Sequence, residues 1–173
     1  MQLAAKLASS GFHTLRFDYF GTGDSAGDTV EGDLEGWSAD IETAIDEIRD
    51  IAATAQVTLI GLRLGALAAA RVAARNARVV DTLVLWDPVA SDTAGAAPMA
   101  EFEALLAGYP GRALMLSTTP ASRRTPFGRS LDIRSPASMP RLAAEDIQPW
   151  TDRSANAGLV PMKTIQRILA WLG

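Results

Sequence analysis

The segment Gly61–Gly65 constrains the fold more than any other stretch of the chain. It joins residues 56–60, a β-prone run, to the alanine-rich run at 64–75, which favours an α-helix. A strand that passes directly into a helix needs a sharp bend. Glycines at both ends of the segment predict such a bend, since a Cβ at either place would crowd the strand against the helix. The side chain presented at the tip is Arg63, which stays protonated and cannot act as a nucleophile.

Strand and helix patterns alternate along the chain. Runs rich in β-formers predict strands at 13–19, 56–60, 79–86 and 112–117, with a weaker candidate at 130–134. Amphipathic and alanine-rich runs predict helices at 2–9, after an N-cap at Asp33, at 64–75, at 99–106 and after Pro161. This alternation predicts a mostly parallel sheet with helices on both faces, which is a three-layer α/β sandwich. The whole chain, 1–173, is expected to form one domain with irregular insertions at about 89–111 and 118–160.

The composition argues against several classes of function. A formal net charge of −4 over 173 residues argues against a nucleic-acid surface. The chain has no cysteine and one histidine, His13, so neither a thiolate nucleophile nor a cysteine or histidine metal site is expected. No run of about 18 apolar residues predicts a membrane span, and no signal-peptide pattern is found near Met1. We therefore expect a cytoplasmic protein without a bound metal.

A glycine-rich loop at 20–27 follows the first predicted strand. Ser25 lies in it and is a candidate binding residue, whereas a nucleophilic Ser25 would need a base within about 3 Å that the sequence does not supply nearby. Asp18 and Asp24 are expected to accept hydrogen bonds from backbone N–H groups of the loop. The loop lacks the lysine or the G-x-x-G frame of a phosphate cradle, so no cofactor is expected.

Several segments together resemble the α/β-hydrolase superfamily. Residues 16–27, R-F-D-Y-F-G-T-G-D-S-A-G, look like the loop that follows the superfamily's fourth strand, and Gly61–Gly65 looks like its nucleophile elbow, G-x-S-x-G. Residues 83–88 look like the end of the sixth strand, and 168–172 like the C-terminal covering helix. The first two motifs are similar in sequence to those of the exosortase-A-system-associated hydrolases of bacterial exopolysaccharide loci. The resemblance implies hydrolysis of ester or amide bonds in small acyl compounds.

The chain departs from that superfamily at each position of the Ser-His-Asp triad. Arg63 occupies the nucleophile position, residues 117–120 supply no acid, and residues 155–160 supply no histidine as the base. Members also begin with further strands and an oxyanion loop, whereas this chain starts at what resembles the helix after them. The resemblance thus implies an α/β-hydrolase sandwich that is shortened at its N-terminus. It also implies catalytic degeneracy, because the loss of even one triad member costs several orders of magnitude in rate.

Two interpretations of Arg63 remain open. In the first, Arg63 and its neighbours Leu62 and Leu64 bind a small acyl or anionic ligand, because a guanidinium beside a helix N-terminus suits a carboxylate or a phosphate. In the second, Arg63 pairs with Asp87 at the end of the neighbouring predicted strand and pins that edge of the sheet. Asp87 is also the candidate catalytic residue, as the one well-placed carboxylate that could activate water if hydrolysis persists.

A third interpretation is an interaction module. If the leading strands are missing, one edge of the sheet and apolar helix faces are exposed. Such surfaces favour a protein partner or a homo-oligomer.

Overall fold

The computed structural model describes residues 2–86, 88, 104–116 and 162–173. Its elements, in chain order, are α1 (Gln2–Ser9), a 3-10 turn (Thr29–Glu31), α2 (Leu34–Ala52), β1 (Val57–Leu62), α3 (Leu64–Arg75), β2 (Val80–Trp86), β3 (Arg112–Leu116) and α4 (Met162–Leu172). Residues 104–107 are also helical. The helices predicted at 2–9, after Asp33, at 64–75 and after Pro161 are confirmed, and so are three of the predicted strands. The weaker strand predicted at 130–134 lies outside the described residues.

The three described strands form a parallel sheet in the order β1-β2-β3. β2 lies between the other two, and its Leu83 is opposite Leu59 of β1 and Ala113 of β3. It is buried along nearly its whole length. A parallel strand covered on both faces has a mostly apolar sequence. For this reason residues 80–86 lack the alternation of apolar and polar residues that is typical of a half-exposed strand.

Helices cover both faces of this sheet. On one face, α2 and α3 pack through residues such as Ile45 and Leu67 against Leu83 and Leu85 of β2. On the other face, α4 packs on the alternate residues of the sheet, with α1 at the margin; the buried members of this cluster are Val84, Trp86, Leu114, Leu116, Ile165 and Ile168. Successive side chains of a strand point to opposite faces, so β2 serves two cores. The predicted α/β sandwich with a parallel sheet is confirmed.

The strand predicted at 13–19 is wrong in the described structure. Residues 12–19 form no strand there, although Phe17 and Tyr19 pack against the core on the α2 side. A strand is defined by ladder hydrogen bonds to a neighbour, and β1 pairs with β2 alone among the described strands. The alternation of side chains along this segment could not supply a partner for its backbone.

No helix in the described ranges is both long enough and apolar enough to cross a membrane.

The long helix α2 begins as its sequence predicts. Asp33 precedes it in extended conformation, and its Oδ1 accepts a hydrogen bond from the Gly36 N–H at 2.7 Å. At its outer face, Glu35 forms a two-pronged ion pair with Arg75 of α3, with N–O distances of 2.7 and 3.0 Å. Arg75 lowers the pKa of the Glu35 carboxyl, mainly through these hydrogen bonds. Both groups are exposed, so the pair orients α2 on α3 more than it stabilises the fold.

We expect Asp33→Ala to lower the free energy of unfolding by about 1 kcal/mol, because it removes the acceptor at the helix N-terminus. Urea denaturation followed by circular dichroism measures this change. Asp50→Ala is the matched control, since it removes the same charge from the other end of α2, where a carboxylate opposes the helix dipole. Equal losses in the two variants would show that the cap contributes nothing of its own.

Candidate functional site

The bend between β1 and α3 takes place at a single residue, Arg63. Its backbone has φ 54° and ψ −118°, which is outside the regions that non-glycine residues ordinarily occupy. Two hydrogen bonds hold it there. The Arg63 N–H donates to the Trp86 carbonyl of β2 at 2.9 Å, and its carbonyl accepts from the Ala66 N–H of α3 at 3.0 Å. Strain of this kind costs of order 1–3 kcal/mol and persists where the surroundings fix the backbone, as they do here.

The two glycines of the bend have different roles. A Cβ on Gly61 would lie 2.5 Å from the Gly65 carbonyl oxygen and 2.6 Å from the Ala66 Cα, so strand and helix can approach only because Gly61 has no side chain. A Cβ on Gly65 would meet the Tyr19 hydroxyl at 3.5 Å, which is an ordinary contact. The prediction that both glycines are required is therefore correct for Gly61 and wrong for Gly65. Position 65 already belongs to the first turn of α3, where the chain has moved clear of β1.

The side chains of the bend differ in exposure. Leu62 is 37% exposed and Arg63 is exposed, whereas Leu64 is half-buried. Arg63 stands at the start of α3, and the first turn of a helix leaves backbone N–H groups without intrahelical partners. The bend therefore places the backbone of an arginine at the positive end of a helix dipole. Asp87 lies outside the described residues, so its pairing with Arg63 and its catalytic role stay predictions.

Tyr19 is a residue of this site that the sequence did not reveal. Its hydroxyl lies beside Gly65, at the first turn of α3. Its ring contacts Phe17 at a centroid distance of 5.2 Å and Trp37 of α2 at 5.8 Å. Burial raises the pKa of Tyr19, and the nearby Asp40 carboxylate raises it further. Tyr19 therefore offers a neutral hydroxyl donor next to the bend. The sequence predicted only a strand over 13–19, and nothing in its spacing indicated that Tyr19 approaches α3.

The glycine-rich loop at 20–27 is fixed to α2 through one residue. The Phe20 N–H donates to Asp40 Oδ2 at 2.9 Å, and the Phe20 carbonyl accepts from Trp37 Nε1 at 3.2 Å. Trp37 and Asp40 both lie on α2. The loop that follows Tyr19 is thus held by two side chains of α2.

Ser25 is used inside the loop. Its Oγ donates to the Asp18 carbonyl oxygen at 2.6 Å, while Asp18 Oδ2 accepts from the Asp24 N–H at 3.3 Å. The turn-shaping role predicted for Asp18 is confirmed. The Ser25 hydroxyl closes the loop on itself, and its predicted binding role stays a prediction. His13 is exposed on the segment 12–19.

The fold and the glycine-flanked bend define a protein of the α/β-hydrolase class. The family model described as serine aminopeptidase, S33, matches residues 1–140, and the chain belongs to that family. No curated protein matches the chain. The superfamily resemblance found in the sequence is thereby confirmed at the level of the family.

Substitutions at the two glycines should separate their roles. We expect Gly61→Ala to destabilise the chain by about 2 kcal/mol or more, because the added methyl group would collide with the backbone of α3. Gly65→Ala should change the stability by less than about 1 kcal/mol and in the stabilising direction, since alanine favours the helix. Thermal unfolding of the two variants beside the unchanged chain measures both effects. Similar destabilisation by both would contradict the close approach at Gly61.

The chain has two tyrosines, Tyr19 and Tyr109, and the pKa of each is raised above the ordinary 10.0. Burial is the main cause in both, followed by Asp40 for Tyr19 and by Asp81 for Tyr109. The folded chain thus holds both protons more tightly than the unfolded chain. The resulting stabilisation is complete below pH 10.0 and is lost as the pH rises through the folded-state pKa values.

An absorbance titration of the phenolate band tests this expectation. At pH 10.0 the folded chain should show little phenolate, whereas in guanidinium about half of each tyrosine should be ionised. In Tyr19→Phe the remaining tyrosine is Tyr109. Comparison of its titration with that of the unchanged chain assigns each ionisation to one tyrosine. Half-ionisation of the folded chain at that pH would contradict the burial of both hydroxyls.

Proposed function

We propose that this family member binds a small anionic ligand, a carboxylate or a phosphate, at Arg63, and that it does not hydrolyse substrates by a Ser-His-Asp mechanism. The observation that carries the proposal is the backbone of Arg63, held at φ 54° and ψ −118° by hydrogen bonds to β2 and α3. A strained bend that projects one side chain over the edge of a parallel sheet is the scaffold of a nucleophile. Here the same scaffold presents a guanidinium.

The chemistry of the projected residue argues against covalent catalysis. An arginine is protonated at every physiological pH and has no lone pair with which to attack an acyl carbon. The one histidine of the chain, His13, is exposed on the segment 12–19, and residues 155–160 contain none. Since the members of a triad act as a unit, replacing the nucleophile removes the mechanism even if a base were supplied.

The same features support anion binding. The dipole and free N–H groups at the start of α3 favour negative charge, and a guanidinium adds a planar fork that matches two oxygens of a carboxylate or phosphate. Tyr19 adds a neutral hydroxyl donor beside the same helix turn, since a tyrosine hydroxyl is protonated across the physiological range. Leu62, partly exposed at the end of β1, supplies an apolar neighbour suited to a short acyl chain.

The amino-acid sequences of the loop at 20–27 and of the bend support a narrower proposal. Both are similar to exosortase-A-system-associated hydrolases, so we place the protein in an exopolysaccharide-type system of the cytoplasm. Deletion of its gene should alter exopolysaccharide output, and a fluorescent fusion should fill the cytoplasm. A normal polymer yield after deletion would count against this placement.

Thermal unfolding with added anions tests binding at Arg63. Phosphate, acetate and butyrate at constant ionic strength should raise the unfolding temperature, and a concentration ten times the Kd should add about 1.4 kcal/mol of stability. Arg63→Ala should abolish this gain. Arg78→Ala, which removes an equal charge from another exposed position, should retain it. Equal protection of both variants would assign the effect to net charge and refute the site.

Turnover of short p-nitrophenyl esters tests the absence of triad hydrolysis. We expect no turnover above background for the folded chain. Turnover that disappears in Asp87→Ala would replace the binding proposal with hydrolysis centred on that carboxylate.

A further inference from the structure

The two tyrosines of the chain use their hydroxyls differently. Tyr109 is buried, and its hydroxyl donates to the Val80 carbonyl at 2.9 Å. Tyr19 is half-buried, and its hydroxyl lies beside Gly65 at the first turn of α3 but donates to no other residue in the described part of the chain. A partly buried phenol hydroxyl favours a hydrogen-bond acceptor. The Tyr19 hydroxyl is therefore available to a ligand at the bend.

Two side chains of α2 restrain the backbone at Tyr19. Asp40 Oδ2 accepts from the Phe20 N–H at 2.9 Å, and Trp37 Nε1 donates to the Phe20 carbonyl at 3.2 Å. Trp37 and Asp40 are three residues apart, so they lie on the same face of the helix. The Phe20 N–H belongs to the planar peptide group that joins it to Tyr19. The bond to Asp40 therefore restrains the backbone of Tyr19 itself.

The hydrogen bond between Trp37 and Phe20 depends on Gly32. A Cβ on Gly32 would lie 2.9 Å from Trp37 Nε1 and 3.2 Å from the Phe20 carbonyl oxygen, so a methyl group there would intrude on this bond. The backbone of Gly32, at φ −75° and ψ 135°, is one that any residue adopts. Gly32 is therefore needed for the space beside the indole and not for its backbone conformation.

Asp40 acts on Tyr19 in two ways that can be separated. Its carboxylate oxygen holds the Phe20 N–H, which the amide oxygen of an asparagine could also do. Burial raises the pKa of Tyr19, and the negative charge of Asp40 raises it further. The same charge would repel an anion bound at the Tyr19 hydroxyl. The hydrogen bond of Asp40 thus favours anion binding, and its charge opposes it.

We propose that Asp40 and Trp37 are positioning residues of the anion site. They hold the Tyr19 hydroxyl at the first turn of α3, where it donates to a bound carboxylate or phosphate. Tyr19 lies beside Gly65, two residues after Arg63, so the hydroxyl and the bend meet the same turn of α3. This role rests on the proposed function, since it assigns to that site a second donor and the side chains that hold it in place.

Variants at position 40 separate the hydrogen bond from the charge, with thermal unfolding in butyrate as the measurement. Asp40→Ala removes the acceptor of the Phe20 N–H. It should weaken the Kd for butyrate roughly tenfold, as Tyr19→Phe should, since each loses one hydrogen bond to a charged group. Asp40→Asn keeps an acceptor and loses the charge, so it should bind butyrate at least as tightly as the unchanged chain. Asp46→Ala, the matched control, removes a carboxylate of α2 that pairs with Arg49 of the same helix, and should leave the Kd unchanged.

An absorbance titration of the Tyr19 phenol reports its position when no anion is added. Asp40→Ala should expose Tyr19 to solvent and bring its pKa close to the ordinary 10.0. Asp40→Asn should lower this pKa less, because burial is the larger cause of the raised value and remains in place. Asp46→Ala should titrate as the unchanged chain does.

Gly32→Ala is a second variant, and it leaves both side chains of α2 unchanged. Its methyl group should displace the Trp37 indole from the Phe20 carbonyl and weaken the Kd for butyrate in the same direction as Asp40→Ala. Circular dichroism confirms that each variant is folded.

The outcomes distinguish this proposal from the anion site itself. Equal Kd values and equal Tyr19 titrations for Asp40→Ala and Asp40→Asn would show that position 40 acts through charge alone, and would overturn the positioning role. Butyrate protection that is the same in Asp40→Ala, Gly32→Ala and the unchanged chain would overturn it as well and leave the anion site standing. No protection of the unchanged chain by butyrate would refute the anion site.

Discussion

The close approach of α3 to β1 at Gly61 is the constraint on which the site depends. With no side chain at that position, the helix begins almost directly above the end of the strand, and one residue must make the whole change of direction. That residue is Arg63, whose N–H is bonded to β2 and whose carbonyl is bonded within α3. The unusual φ and ψ are therefore a consequence of how closely the strand and the helix pack. A larger residue at position 61 would separate β1 from α3, and the backbone of Arg63 would no longer be held in its strained conformation.

This arrangement separates scaffold from chemistry. The backbone at the bend is determined by glycine, by hydrogen bonds to neighbouring elements and by the two cores, none of which involves the side chain of residue 63. A family can therefore keep the bend while the projected side chain changes, and the direction of projection is preserved whatever that side chain does. For this reason membership of a serine aminopeptidase family and an arginine at the tip are physically compatible. The fold positions one group at one point, and the chemistry follows from which group is there.

The parts of the structure that depend on local sequence were predictable, and those that depend on partners across the fold were not. Apolar periodicity and the cap at Asp33 gave the helices, and a continuous apolar run gave β2. Residues 13–19 alternate like a strand, yet pairing requires a neighbouring backbone, which alternation does not report. The contact between Tyr19 and Gly65 could not be predicted for a similar reason. Residues that distant in sequence meet only through the packing of the segments that carry them. The role of Gly65 was overstated because a glycine next to a bend cannot be distinguished, from sequence, from one inside it.

The two bonds that hold Phe20 have a mechanical consequence for the site. Since the N–H and the carbonyl of Phe20 are both held by side chains of α2, the peptide units on either side of it cannot rotate independently of that helix. Tyr19 is the preceding residue, and its ring also rests on Trp37 of α2. The Tyr19 hydroxyl is therefore held in position by α2, whereas Arg63 directly precedes α3. The position of the Tyr19 hydroxyl beside the start of α3 depends on how α2 packs on α3, so a small sliding of these helices would move this hydroxyl relative to the bend.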